Sequence, residues 1–283
     1  MNEVCRRINQ RFRNTCEEMI VLSYKRILTV QDISCVGQCS LTVALPILSC
    51  YGFETCILPT GILSNHTAKP FGGFTFQDTT SYFPAIFDRW EKIGVTFDCI
   101  YTGYLGNAEQ IDALLCGMEL NRGQLIVDPA MADNGSLYTG FDASFVAEMK
   151  KLCDRADILL PNMTEACLLT GTPYKEAWTE DEVEAICRAL GRTVILTGVP
   201  CGERIGVAVY RDGDFSVYRH RRIPRSLHGT GDVFSSVFVG EYLNTGDVYA
   251  SAKRAADFVV RCIENTPEDH WYGAAFEPLL KEL

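Results

Sequence analysis

From Lys25 onward, short runs of aliphatic and β-branched residues alternate with longer stretches whose apolar positions recur every three to four residues. The short runs predict strands at Arg26–Asp32, Glu54–Gly61, Asp98–Tyr104, Leu125–Pro129, Asp157–Pro161 and Thr193–Val199, each bounded by turn-forming residues. Ile158-Leu159-Leu160 and Val194-Ile195-Leu196 are apolar at every position, the mark of a parallel sheet covered on both faces. Between the strands, a helix over Asp78–Ile93 would place Tyr82, Phe83, Ile86, Phe87 and Trp90 on one side. Thr179-Glu180-Asp181-Glu182 is a capping box opening a helix with apolar Val183, Ile186 and Leu190, which Gly191 ends. The alternation predicts an α/β fold: a doubly wound, mostly parallel central sheet flanked by helices.

Two stretches break the pattern. Ile205–Arg222 reads as a β-hairpin turning at Asp212-Gly213. Phe71-Gly72-Gly73-Phe74 lies in an aromatic, glycine-containing segment, either a flap over a site or a loop. With no repeat or linker, residues 25–283 are expected to form one domain, and residues 1–24 a mobile extension.

Lys and Arg number 26 against 36 Asp and Glu, a formal charge of −10, which argues against binding a nucleic-acid backbone. A nucleotide remains acceptable if its site is locally electropositive. Thirteen cysteines, among them Cys50, Cys99, Cys153 and Cys187, are scattered through apolar stretches without CxxC spacing. Cys35 and Cys39 have no second pair to complete a zinc site. They read as reduced thiols, mostly small buried hydrophobes, which points to the cytoplasm. The run Met19-Ile20-Val21-Leu22 is too short for a signal peptide, and Leu41–Leu48, interrupted by Thr42 and Pro46, is too short to span a bilayer.

Candidate chemistry centres on Gly229-Thr230-Gly231-Asp232, just before the apolar helix Val233–Leu243. Glycines at a helix start let backbone N–H groups approach an anion, and the helix dipole favours negative charge there. An aspartate in that turn can take the proton of a substrate hydroxyl, as phosphoryl transfer requires. The plainer alternative is a glycine-rich turn with Asp232 complementing the dipole. Asp128 ends a strand, Asp133 follows in a loop, and Asn162 and Glu165 lie beyond the next strand. Ligands of open α/β sheets bind outside the carboxyl ends of the strands, where such acids suit Mg²⁺ held largely through water. Alternatively, Thr164 caps a helix over Glu165–Leu169 and Asp133-Asn134-Gly135 is a turn. Ser64-Asn65-His66-Thr67 and Thr102-Gly103-Tyr104 should face the same crevice, with His66 ordering its loop or touching a ligand rather than acting as base. His220, His228 and His270 lack metal-site spacing.

These motifs together resemble the ribokinase-like superfamily and, within it, the pyridoxal kinases. Gly229-Thr230-Gly231-Asp232 is similar to the superfamily signature, and Asn162-Met163-Thr164-Glu165 to its NxxE element. Ser64-Asn65-His66-Thr67, Thr102-Gly103-Tyr104-Leu105-Gly106 with Ala108-Glu109-Gln110, and Asp128-Pro129-Ala130-Met131-Ala132-Asp133 are similar to pyridoxal kinase segments. They occur in family order over nearly all the chain beyond the first 24 or so residues.

The resemblance implies ATP-dependent phosphorylation of the hydroxymethyl group of pyridoxal, pyridoxamine or pyridoxine by a homodimer using Mg²⁺, with a monovalent cation left open. It makes Asp232 the general base and Gly229, Thr230 and Gly231 the anion hole. Thr67 and Tyr104 would contact the pyridine ring. Asp128, Asn162, Glu165, Thr197 and Gly198 would surround the nucleotide, with Asp128, Asp133 and Glu165 serving the metal. Pyridoxal kinases of the commoner kind carry Ser after the Gln that ends the first strand, where it contacts the ring. Here the order is Gln31-Asp32, and a carboxylate there would pair with a protonated ring nitrogen or favour another ring substituent. A hydroxymethylpyrimidine kinase and a non-catalytic vitamin-binding protein remain alternatives. The Thr67 and Tyr104 motifs argue against the first, and Asp232 with Glu165 against the second.

Overall fold

The computed structural model describes residues 24–117 and 120–283. Its centre is a nine-stranded sheet in the order β11-β10-β9-β8-β5-β4-β1-β2-β3. The parallel core consists of β1 (Arg26–Ser34), β2 (Glu54–Leu63), β4 (Phe97–Thr102), β5 (Asn121–Val127), β8 (Ile158–Leu159) and β9 (Thr193–Cys201). One edge is the short antiparallel β3 (Phe76–Asp78). The other is the predicted hairpin, β10 (Arg204–Arg211) and β11 (Asp214–Arg221), turning at Asp212 and Gly213, both with positive φ. A separate two-residue ribbon pairs β6 (Ala132–Asp133) with β7 (Ser136–Leu137).

Helices cover both faces, as near-continuously apolar strands require. On one face α1 (Leu41–Cys50), α7 (Thr230–Thr245) and α8 (Val248–Asn265) enclose a core that includes Ile27, Ile126, Ile195, Val237 and Phe238. On the other, α2 (Phe83–Lys92), α3 (Ala108–Gly117) and α4 (Ala143–Cys153) pack over Leu28, Ile100, Leu125 and Phe83. Beside them, α5 (Met163–Thr170) and α6 (Glu180–Leu190) share a third cluster with Val194 and Leu196.

Several predicted boundaries change. The helix expected over Asp78–Ile93 begins only at Phe83, because Asp78 is paired with Gly61 in β3 and accepts the amide of Thr80 to start a 3₁₀ turn. Tyr82 therefore lies outside the helix and exposed, while Phe83 is the buried anchor. Thr164 does not cap α5: Asn162 does, in a capping box closed by Glu165. The box at Thr179 and Glu182 and the left-handed stop at Gly191 form as the sequence indicates. Of the cysteines named above, Cys39, Cys99, Cys153 and Cys187 are buried and Cys35 and Cys50 are exposed. The expected extension, residues 1–24, lies outside the described residues except for Tyr24. Among the described residues no helix is long and apolar enough to cross a membrane.

Candidate active site

The site gathers at the carboxyl ends of β1, β4, β5 and β9 and at the N-terminus of α7. Gly229 is the N-cap of α7, at φ 77°, and no side chain caps the helix, so its first amides are left for another acceptor. A side chain at Gly229 would be strained in that left-handed conformation and would run into the carbonyl oxygen of Gln38. The turn at Gly229 thus rests directly on the loop that follows β1.

Asp232 sits in the first turn of α7. The residue is half-buried, with its carboxyl packed among protein atoms. Burial and the charge of Asp128, with a further contribution from Asp32, raise its pKa to about 7. Asp128 follows β5 directly. Its Oδ2 accepts the hydroxyl of Ser235 at 2.7 Å and its Oδ1 the amide of Ala130 at 3.2 Å. Burial raises its pKa too.

Glu165 is 2 % exposed. Its Oε1 accepts the amides of Met131 (2.9 Å) and Ala132 (3.4 Å), and its Oε2 that of Asn162 (2.9 Å). Burial and the charge of Asp128 hold its pKa well above the usual carboxylate range. Asn162 Nδ2 donates to the carbonyl of Ala132. The two residues therefore both cap α5 and fix the loop carrying Asp128 and Asp133. Asp133 is exposed at the ribbon turn, where Asn134 and Gly135 supply positive φ and Asn134 donates to both its carboxylate oxygens.

Asp32 is 5 % exposed near the end of β1. Its Oδ2 accepts the hydroxyl of Ser34 at 3.1 Å, and burial raises its pKa against opposing hydrogen bonds from Ser40 and Ser34. The charge of Asp32 reaches Tyr104, whose ring stacks on Phe141 with centroids 5.5 Å apart. Thr67 is exposed in the 64–75 loop beside His66. His66 orders that loop: its amide donates to Val36 and its Nδ1 accepts the amide of Ala68. Thr197 is half-buried, donates its amide to Pro161 and bridges Asn162. β9 runs on past Gly198 to Cys201, but Gly198 has φ 73° and the register with β10 shifts beside it, so the regular strand is interrupted at the expected place.

Sequence reasoning missed Ser235 and Tyr138. Ser235 lies three residues beyond Asp232 and so on the same helical face, a spacing that could have singled it out. Tyr138 follows the ribbon; although the residue is 42 % exposed, packing around the phenol and then the charges of Glu165, Asp133, Asp128 and Asp232 raise its pKa. No short-range motif marks it.

Among the described residues, no ion pair reaches Asp32, Asp128, Asp133, Glu165 or Asp232, and no three acidic, His or Cys side chains converge closely enough to ligate an ion directly. An all-oxygen set of acids lacking a cationic partner fits a hard divalent cation held through its water shell, as Mg²⁺ often is.

The phosphomethylpyrimidine kinase family model matches residues 89–275. The pyridoxine/pyridoxal/pyridoxamine kinase of Bordetella pertussis is 30% identical over 259 aligned residues, covering 86% of this chain and 89% of that protein. The chain belongs to the pyridoxal kinase family. Among solved structures it resembles the pyridoxal kinase of Lactobacillus plantarum at 31% identity and TM-score 0.85, over 91% of this chain and 96% of that one. A Bacteroides thetaiotaomicron protein assigned as a phosphomethylpyrimidine kinase, crystallised with pyridoxal, is 37% identical with TM-score 0.86, over 92% and 95% of the two chains. The pyridoxal kinase family shares the ribokinase-like fold seen here, a mostly parallel sheet between helices.

Proposed function

We propose that this protein transfers a phosphoryl group from ATP to the hydroxymethyl oxygen of a vitamin B6 compound (pyridoxal, pyridoxamine or pyridoxine), giving the 5′-phosphate. The observation that carries the reading is Asp232, an acid with pKa about 7 in the first turn of a helix whose amides are uncapped. An alcohol is a weak nucleophile, and a base matched to neutral pH removes its proton as the new bond forms. The acceptor oxygen bonds to the γ-phosphorus, the bond to the bridging oxygen breaks, ADP leaves, and the hydroxyl proton passes to Asp232. The amides of Gly229, Thr230 and Gly231 stabilise charge on the transferring group.

Mg²⁺ would be held at Asp128, with Asp133 and Glu165 acting through water, and when bound it neutralises phosphate oxygens. Thr67, Tyr104 and Asp32 line the acceptor side, and Asn162, Thr197 and Gly198 the nucleotide side. Residues 25–283 act as a single kinase unit in the cytoplasm. Exposed Ile57, Ile62, Phe74 and Phe76 near the β2–β3 edge favour a homodimer.

The test is ATP turnover against pyridoxal, pyridoxamine, pyridoxine and hydroxymethylpyrimidine. Turnover confined to hydroxymethylpyrimidine would replace the proposed acceptor, and no turnover with any of the four would overturn the reading.

A further inference from the structure

The loop 64–75 joins β2 to β3 and carries His66 and Thr67. It is tied internally by Asn65 Nδ2, which donates to the carbonyls of His66 (3.0 Å) and Gly73 (2.8 Å), and by the amide of Thr75, which donates to Ser64 Oγ (2.9 Å). Its outer part is exposed and holds Gly72 and Gly73 at positive φ. Two ring contacts join this loop to the rest of the site. His66 lies against His228, the residue just before the anion hole, with centroids 4.6 Å apart. Phe71 lies against Trp271, with centroids 4.9 Å apart and planes 57° apart.

Trp271 is far away in sequence, in the segment between α8 and the C-terminus, and is 50% exposed. Its segment is itself clamped to the loop after β1. Gln38 Nε2 donates to Glu277 at 2.7 and 2.8 Å, and Gln38 Oε1 lies 2.8 Å from His270 Nε2. A Cβ at Gly273 would press on Gln38. The amide of Ala274 donates to the carbonyl of His228. The C-terminal segment thus touches the β1 loop, the anion-hole turn and, through Trp271 alone among these contacts, the tip of the 64–75 loop.

A half-exposed tryptophan adds little to the core, yet here it meets an aromatic ring of the loop, Phe71. We propose that Phe71 and Trp271 form an aromatic latch through which the C-terminal segment holds the 64–75 loop against the anion-hole turn, making Trp271 a positioning residue for the acceptor substrate. It acts through Phe71 and His66 on the placement of Thr67. This rests on the reading of that loop as the acceptor side of a kinase site.

The test compares Trp271→Ala, Trp271→Phe, Phe71→Leu and the Trp271→Ala/Phe71→Leu double variant. Trp271→Ala should raise KM for the vitamer about ten-fold, with KM for ATP and kcat at saturation changed less than about two-fold. Trp271→Phe should restore most of the loss, and the double variant should lose no more than either single one, as residues of one contact do. Hydrogen exchange at the His66 and Ala68 amides should quicken in Trp271→Ala. Were Trp271→Ala to fold poorly, Phe71→Leu would give the same readings from the loop side. Unchanged vitamer KM, parallel losses in both KM values and kcat, additive losses in the double variant, or unchanged exchange would overturn the latch. If the parent protein phosphorylates no vitamer, the kinase reading fails, while the exchange measurement still decides the latch.

Discussion

Ser235 donates its hydroxyl proton to Asp128 Oδ2 at 2.7 Å, joining the helix that carries Asp232 to the strand end that carries Asp128. A hydrogen bond to a charged acceptor is worth about 1.5–3 kcal/mol. Ser235→Ala leaves Asp128 without that donor, so its carboxylate is held less firmly toward the phosphates. The Mg²⁺ concentration for half-maximal rate should rise about three- to ten-fold, with a smaller fall in kcat at saturating metal. An unchanged Mg²⁺ titration would reduce Ser235 to a packing role.

Asp232→Asn should lower kcat by roughly 10²–10⁴-fold, the usual worth of a general base. The same substitution has a stability signature of opposite sign. The folded protein keeps the Asp232 proton up to about pH 7, whereas an unperturbed aspartate releases it at 3.8. Between those values the folded state binds more protons, so the group's contribution to stability falls as pH rises through that window. Ligand-free Asp232→Asn should therefore be more stable than the parent at pH 8, by on the order of 2–4 kcal/mol, and show little advantage below pH 4. Thermal melts at the two pH values check this; a destabilised variant at pH 8 would contradict the buried, charge-crowded picture of Asp232.

Glu165→Gln tests a residue with two duties. Its oxygens accept the amides of Met131, Ala132 and Asn162, and an amide side chain keeps only one acceptor oxygen, placing an NH₂ against a backbone donor. A loss of about 1–3 kcal/mol in stability is expected, together with a higher Mg²⁺ requirement as the Asp128 loop loosens. Full stability with normal Mg²⁺ dependence would show that neither duty falls on Glu165.

Asp32→Ser addresses the choice of vitamer. Asp32 is buried, hydrogen-bonded to Ser34, and faced by Ser40, Cys39, Tyr104 and Asp232. None of these is a cation, so a ring carrying a protonated nitrogen would be its natural partner. A charge-assisted bond of that kind is worth about ten- to a hundred-fold in affinity. The variant should lose that much kcat/KM for the ring-protonated vitamer and show a flatter pH profile. Parallel profiles with the same vitamer ranking in parent and variant would rule the pairing out.

The sheet was legible because buried parallel strands leave short apolar runs bounded by turn residues, and all six predicted strands occur with shifted ends. The helix start at Phe83 was not legible. Periodicity carries Tyr82 and Phe83 together, and only the pairing of Asp78 with Gly61, a contact made in three dimensions, separates strand from helix. At the site, Asp128, Glu165 and Asp232 were visible as acids at strand and helix ends, and the structure brings their charges within reach of one another. Which residue caps α5 is a choice between Asn162 and Thr164, two positions apart and both good caps, and tertiary contacts decide it: Thr164 Oγ1 instead accepts the amide of Gly135. Tyr138 and Trp271 carry no local signature, since what matters about them is what the fold sets beside them.

The seating of Gly229 and Gly273 on Gln38 has a bearing on biosynthesis. Residues 32–40 leave the ribosome early, yet the floor they form is closed only by a helix turn and a C-terminal segment made far later. At about 5–20 residues per second, roughly 10–40 s separate the synthesis of Gln38 from that of Gly229. A nascent chain through α6 can pair β1, β2, β4 and β5, but it has no Gly229–Asp232 turn and no brace for the β1 loop. Ligand binding therefore rewards only a chain that has passed Asp232, and one stopped short of Gly229 lacks the helix turn that closes the site.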